Sequence, residues 1–430
     1  MFKQIGEGQR NRILRGSVVL LFSVVLSYIF TSVIIWASDS RYIILSRYSR
    51  FKQHESAIKG ETMAPDQYRF GSFYLVEYFF RFLPIKWHDN QMSYDLLSKE
   101  GWDDDSRKTM EMVWPESARY ELVNDIQDVI SDVLDSFVGS NLLLKNMLTT
   151  AINSTKWPDY VIDVEKLALL VGEYIPEDIL LFFNKDSYES SVVNGYFNMR
   201  FFFTIIVMVL IYLFCREFLD PFSSLAGVMF FSGMIPLAAQ DFQQAETMCA
   251  LTVFLLLLIL IARRKSYLVI ILCVVLGCTL RTDHMLFAAL IYSFHEFPNL
   301  VKRRSLEGLL RIILLLGLPL IATFILSSVV FPQAEYYVSL IQIDYNLGNV
   351  WSWIFPAVFM VIPLVFSGQI RKMPFFASSW YWIVPFLVLN YIVGRPSEVR
   401  LLLPVLVYSI PFIIKGTKSL IGDKLPESPN

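Results

Sequence analysis

Long apolar stretches alternate with short polar ones along most of the chain. Residues 17–37 (SVVLLFSVVLSYIFTSVIIWA) form an unbroken apolar run. It lacks the small-residue cleavage site of a removable leader and predicts a retained helix, preceded by Lys3, Arg10, Arg12 and Arg15. Comparable runs fall at 197–215, 222–239, 246–262, 266–280, 284–298, 308–331, 351–368, 378–394 and 401–415. A helix needs about 20 residues to cross a hydrocarbon core of about 30 Å. The pattern therefore predicts an all-α integral membrane protein with about ten transmembrane helices, several of them short. Arg281, Asp283 and His284 interrupt the 266–298 pair. That pair reads as a helical hairpin carrying those polar groups at its tip.

The stretch between the first two runs has a different pattern. YRFGSFYLVEYFFRFLP (68–84) is aromatic on most faces yet carries Arg69, Glu77 and Arg81, which predicts a helix lying in the interface. Within 120–151, Leu122, Ile126, Val129, Ile130 and Val133 recur at helical spacing, predicting an amphipathic helix with an acidic outer face. Residues 157–183 look similar, broken at Pro176. The expected organisation is an N-terminus and first helix over 1–37, a large helical region with interfacial helices over 38–196, a transmembrane bundle over 197–415 and a tail over 416–430.

Composition sharpens this reading. The chain is 55% hydrophobic and only 18% charged, against roughly 45–50% and about 25% for soluble proteins, so a single soluble domain is excluded. A net charge of −2 gives no pull toward nucleic acid. The cysteines (Cys215, Cys249, Cys273 and Cys278) all lie in or beside apolar runs, which excludes a disulfide framework. No C-x-x-C, H-E-x-x-H, G-x-S-x-G or P-loop spacing is present. Asp103-Asp104-Asp105 offers carboxylates to a divalent cation, although a solvated acidic turn is the simpler reading.

The placement of charge sets orientation. Alternate loops hold Arg216, then Arg263-Arg264-Lys265, then Lys302-Arg303-Arg304, then Arg371-Lys372, then Lys415 and Lys418. Basic loops stay cytoplasmic, so both termini are expected in the cytoplasm and 38–196 outside. The remaining ionisable residues at helix ends then collect on the outer face, and charges in such places default to function. They are Asp66, Tyr68 and Arg69 in APDQYR, with the polar Gln67 between them; Asp241 and Glu246 in the loop QDFQQAE; Arg281, Asp283 and His284; and Arg395, Glu398 and Arg400 in GRPSEVR. Arginine's planar fork suits a phosphate, so Arg281, Arg395 and Arg400 are candidate headgroup binders. The plainer alternative pairs Arg281 with Asp283, and Arg395 or Arg400 with Glu398. Asp66, held by Pro65, is a candidate general base, or else a cap on the helix that follows.

These motifs have a parallel. APDQYR before an aromatic helix and Pro84 resembles an A-P-x-Q-Y-R…P segment in a broad family of bacterial multi-pass membrane proteins. LRTD (280–283) is similar to that family's N-R-E-T turn, and SEVR…P (397–404) to its E-x-R…P near the last helix. The family's layout resembles the GT-C glycosyltransferase superfamily. That resemblance implies a bacterial inner-membrane enzyme that takes a sugar from a polyprenyl-phosphate donor on the outer face. The acceptor would be a glycan, lipid or protein, membrane lipids the surroundings, and any cofactor at most a divalent cation. It also implies that Asp66 matches the catalytic early-loop acid and the outer arginines the donor-phosphate binders. From the residues alone, a lipid-linked-sugar transporter or flippase and a non-catalytic membrane scaffold remain alternatives.

Overall fold

The structure is a computed structural model that describes residues 7–87, 187–238, 246–336 and 339–422. The helices expected over 120–151 and 157–183, the acids 103–105, and Asp241 lie outside these residues. The described residues are helical, joined by turns and one isolated bridge between Ala64 and Tyr336. The first helix, α1, runs Glu7–Lys59, well past the expected end at residue 37. Neither proline nor glycine occurs between residues 17 and 59, so nothing breaks it before Gly60, which takes φ +78° at its end. A short 3-10 turn follows over Asp66–Arg69, then α2 over Phe70–Tyr78. The aromatic segment expected as one helix is thus a short helix with a 3-10 turn on either side, the second over Phe80–Phe82.

The apolar runs become α3 (Tyr188–Arg216), α4 (Pro221–Ala238), α5 (Glu246–Ala262), α6 (Tyr267–Cys278), α7 (Thr282–Arg303) and α8 (Leu306–Ile325). After them come α9 (Ile343–Gly348), α10 (Trp351–Val365), α11 (Ser367–Arg371), α12 (Pro374–Ser379), α13 (Ile383–Val393) and α14 (Leu403–Gly422). Among the described residues, five segments are long and apolar enough to cross a membrane: Gly16–Val33, Tyr188–Arg216, Leu306–Val330, Pro374–Val393 and Val399–Leu420. Pro221–Ile235, Glu246–Ala262, Tyr267–Cys278 and Trp351–Val365 are shorter apolar helices. The run expected at 378–394 is divided, with a 3-10 turn at Trp380–Trp382 between α12 and α13.

Helix starts follow local chemistry. Asp220 precedes Pro221 and accepts from the Ser223 backbone N–H at 3.0 Å and the Ser223 hydroxyl at 2.7 Å. It thereby caps α4 where its first amides lack partners. These bonds and Lys418 hold the Asp220 carboxyl below the usual carboxylate range. Ser305 caps α8 in the same way through the Gly308 N–H.

The chain divides into two compact units: 1–39, 56–80 and 196–430 in one, 40–55 and 81–195 in the other. Within the second, Phe51 meets Tyr188 edge-on at 5.8 Å, Arg81 lies over the Tyr188 ring, and the Trp87 N–H donates to Asn194. The first unit has its core among α3–α7 and α12–α14, where Phe254, Phe287, Trp382, Phe386 and Tyr408 are almost fully buried. Burial of such large rings supplies most of the packing between these helices.

This unit has two chemically distinct ends. Arg263 pairs with Glu217 at 2.6 Å, Lys418 with Asp220 at 2.9 Å, and the Tyr267 hydroxyl donates to the Arg311 carbonyl. These contacts bring the basic 216–221 and 263–267 turns and the last turns of α14 to one end. Glu246 opens α5, Arg281 precedes α7 and Arg400 lies in the 3-10 turn before α14, at the other end. On the orientation expected from the loop charges, cysteines placed at 104 and 264 should react with impermeant reagents from opposite sides of the membrane, with 104 outside. Labelling of both from one side would reject this orientation.

Candidate functional site

The turn after α6 and the turn before α2 are packed in direct contact. The Gly71 N–H donates to the Thr279 carbonyl at 2.9 Å. A Cβ at residue 71 would lie 2.6 Å from Thr279 Oγ1 and 2.9 Å from Thr279 O, so only glycine allows this approach. The contact brings APDQYR beside LRTD. Gly71→Ala is expected to destabilise the protein by about 1–3 kcal/mol through overpacking, lowering its thermal unfolding temperature in detergent. An alanine variant of unchanged stability would mean that the two turns are not held together here.

Around this contact, charged groups converge. Arg69 Nη1 lies 3.3 Å from Asp66 Oδ1 and 3.8 Å from Glu246 Oε1, linking the early loop to the first residue of α5. Arg281 precedes α7 and grips Asp283 with both arms of its fork, Nε–Oδ1 at 3.1 Å and Nη2–Oδ2 at 2.5 Å. Arg400 holds Glu398 through Nε at 2.9 Å and through a second bond from Nη2. Arg69 and Arg400 both lie close enough to Arg281 to act on it electrostatically. Three like charges gathered in this way are costly unless acids offset them, and Asp66, Glu246, Asp283 and Glu398 do so.

Exposure separates these groups. Glu246 and the Arg281 guanidinium are buried, whereas the Asp283 and Glu398 side chains are 39% and 36% exposed. Both exposed acids sit on arginines, so an incoming anion can replace them at a guanidinium without a buried carboxylate being stranded. His284 is buried beside them, packed edge-on to Phe254 at 6.0 Å.

Other expected residues have different work. Gln67 is fully buried, its Oε1 accepting from the Thr62 N–H at 3.0 Å and its Nε2 donating to the Ala57 carbonyl at 3.2 Å. It fixes the turn that presents Asp66. The Tyr68 hydroxyl donates to the Ala334 carbonyl at 3.2 Å, and burial raises the phenol above its ordinary value. Arg395 donates from Nε to Gln342 Oε1 at 3.0 Å and stacks over Tyr345. The sequence reading pairs Arg281 with Asp283 and one of Arg395 and Arg400 with Glu398; the acid goes to Arg400. Two features lie outside that reading. Gln342 and Tyr345 anchor Arg395, with no signal in their surroundings to mark them. Arg200 is a buried charge within α3, only 4% exposed, and its position inside the apolar run 197–215 was signal enough. Among the described residues no group of three His, Cys, Asp or Glu side chains is arranged to hold a metal ion.

The chain matches no protein-family model, no curated protein and no solved structure. Its reading rests on the geometry above.

Proposed function

We propose that this protein is a GT-C-like membrane glycosyltransferase, taking a sugar from a polyprenyl-phosphate donor at the outer face of a bacterial inner membrane. The observation that carries this reading is a cluster of arginines and acids at one end of an apolar helical unit, in which Arg69 holds Asp66 and Arg281 feels both Arg69 and Arg400. A lipid-borne phosphate sugar presents such a site with a buried tail and a charged head at the membrane surface. Arginine forks suit the head, and a carboxylate suits an acceptor hydroxyl.

The reaction is a single displacement. Asp66 takes the proton from an acceptor hydroxyl, and the freed oxygen pair bonds to the anomeric carbon. The bond from that carbon to the phosphate oxygen breaks, and its electrons leave on the polyprenyl phosphate. Arg281 and Arg400 stabilise the charge that grows there, exchanging their exposed acids for phosphate oxygens. Arg69 orients Asp66 and ties it to Glu246. The ten-span arrangement and cytoplasmic termini belong to the same proposal: the four shorter apolar helices and α7 complete the crossings begun by the five long ones among the described residues.

Purified protein in proteoliposomes, given labelled polyprenyl-phosphate sugar and a pool of glycan and lipid acceptors, is expected to release free polyprenyl phosphate and label an acceptor. Movement of intact donor between leaflets without release would establish a transporter and overturn the enzyme reading.

A further inference from the structure

Helix α7 begins in the middle of the charged cluster, and its N-terminus has no side-chain cap: Arg281 occupies the capping position with its side chain turned to Asp283. The first amides of a helix point outward and carry partial positive charge, a ready anion site. A helix terminus of this kind is common and by itself says little. The second observation is His284, in the first turn. It is 1% exposed, yet neither Nδ1 nor Nε2 has a hydrogen-bond partner among the described residues. A buried imidazole with both nitrogens unsatisfied is costly to leave empty-handed.

The neighbours of His284 limit what satisfies it. Arg281, Asp283 and Arg69 act on it electrostatically, and Phe254 covers one side of the ring. Both oxygens of its neighbour Asp283 are already held by Arg281. An anion with several acceptor oxygens, set against the α7 terminus, meets the needs of His284 and of the free amides together.

We infer that His284 and the uncapped N-terminus of α7 form the subsite for one phosphate oxygen, with the His284 ring N–H donating to it beside the Arg281 fork. The inference rests on the phosphate-donor reading above and deepens it by naming the neutral donor that accompanies the arginines. An imidazole adds directionality that a guanidinium cluster lacks: it fixes which phosphate oxygen faces the helix, and so the direction in which the sugar bond points.

The test uses full-length protein in nanodiscs with a polyprenyl monophosphate as probe and inorganic phosphate as a second probe. His284→Phe fits beside Phe254 but cannot donate, and His284→Gln keeps an N–H. Loss of a hydrogen bond to a charged group predicts about 10- to 100-fold weaker polyprenyl-phosphate binding for the phenylalanine variant, with substantial recovery in the glutamine variant. Folding of variants is bypassed by a direct measurement on the unaltered protein. Solid-state NMR with imidazole ¹⁵N labels is expected to show dipolar coupling between bound ³¹P and one histidine of the four, and the coupled signal is expected to vanish in His284→Gln. Equal affinity of wild type and His284→Phe, or a ³¹P coupling to another histidine or to none, overturns the inference. Inorganic phosphate that couples to His284 and binds as tightly as the lipid upholds the subsite while removing the lipid donor from the reading above. Lipid binding that depends on Arg281 but not on His284 removes only this inference.

Discussion

Asp66→Asn is expected to fold normally, bind the polyprenyl-phosphate donor with unchanged affinity and transfer sugar about 10²–10⁴-fold more slowly, the usual cost of removing a general base. The amide keeps the size of the carboxylate and can still accept from Arg69, which lies 3.3 Å away in the native protein. What it loses is basicity. Donor affinity stays because the phosphate is held by other side chains. The comparison uses initial transfer rates at saturating donor, alongside equilibrium binding of the lipid. Near-normal transfer by the variant would move the base elsewhere, and Glu246 or Asp283 would be next. Glu246 is the stronger of the two, being buried and already joined to Asp66 through Arg69.

Arg281→Ala and Arg281→Lys are both expected to lose activity, by about 10²–10³-fold for alanine, the usual cost of removing a donor to a developing oxyanion. Lysine restores the charge but not the planar fork that now spans both oxygens of Asp283. Its failure to rescue separates phosphate recognition from a structural ion pair. If the only role of Arg281 were to neutralise Asp283, lysine would serve and turnover would be full. Thermal unfolding of both variants checks that the lost activity is not lost fold. The partial exposure of Asp283 limits what breaking the pair costs in stability.

Much of this was legible in the sequence because a membrane admits few solutions. Backbone polar groups in hydrocarbon must be satisfied within a helix, so apolar runs near 20 residues declare themselves, and each of the ten runs overlaps a described helix. Their ends were less legible. The continuation of α1 to Lys59 depends on the lack of a breaker in a polar stretch, and the 378–394 run hides a 3-10 turn at Trp380–Trp382. Within the site, the Arg281–Asp283 and Arg400–Glu398 pairs lie two residues apart and could be read directly. The Arg69–Glu246 link could not, because it joins an early loop to a helix far along the chain. Gln67 shows the opposite error. A polar residue in a short motif looks like a ligand in sequence, whereas here its amide is bonded to two backbone groups.

The central claim is that Asp66 and the arginines Arg281 and Arg400 serve one lipid-borne phosphate. The most direct test is a cryo-EM structure of the protein in nanodiscs with a bound polyprenyl phosphate. The account predicts phosphate density against Arg281 and Arg400 at the start of α7, with Asp66 across an opening wide enough for a sugar. Density for the headgroup at the basic end, beside Arg263 and Lys418, or none at all at saturating lipid, would contradict it.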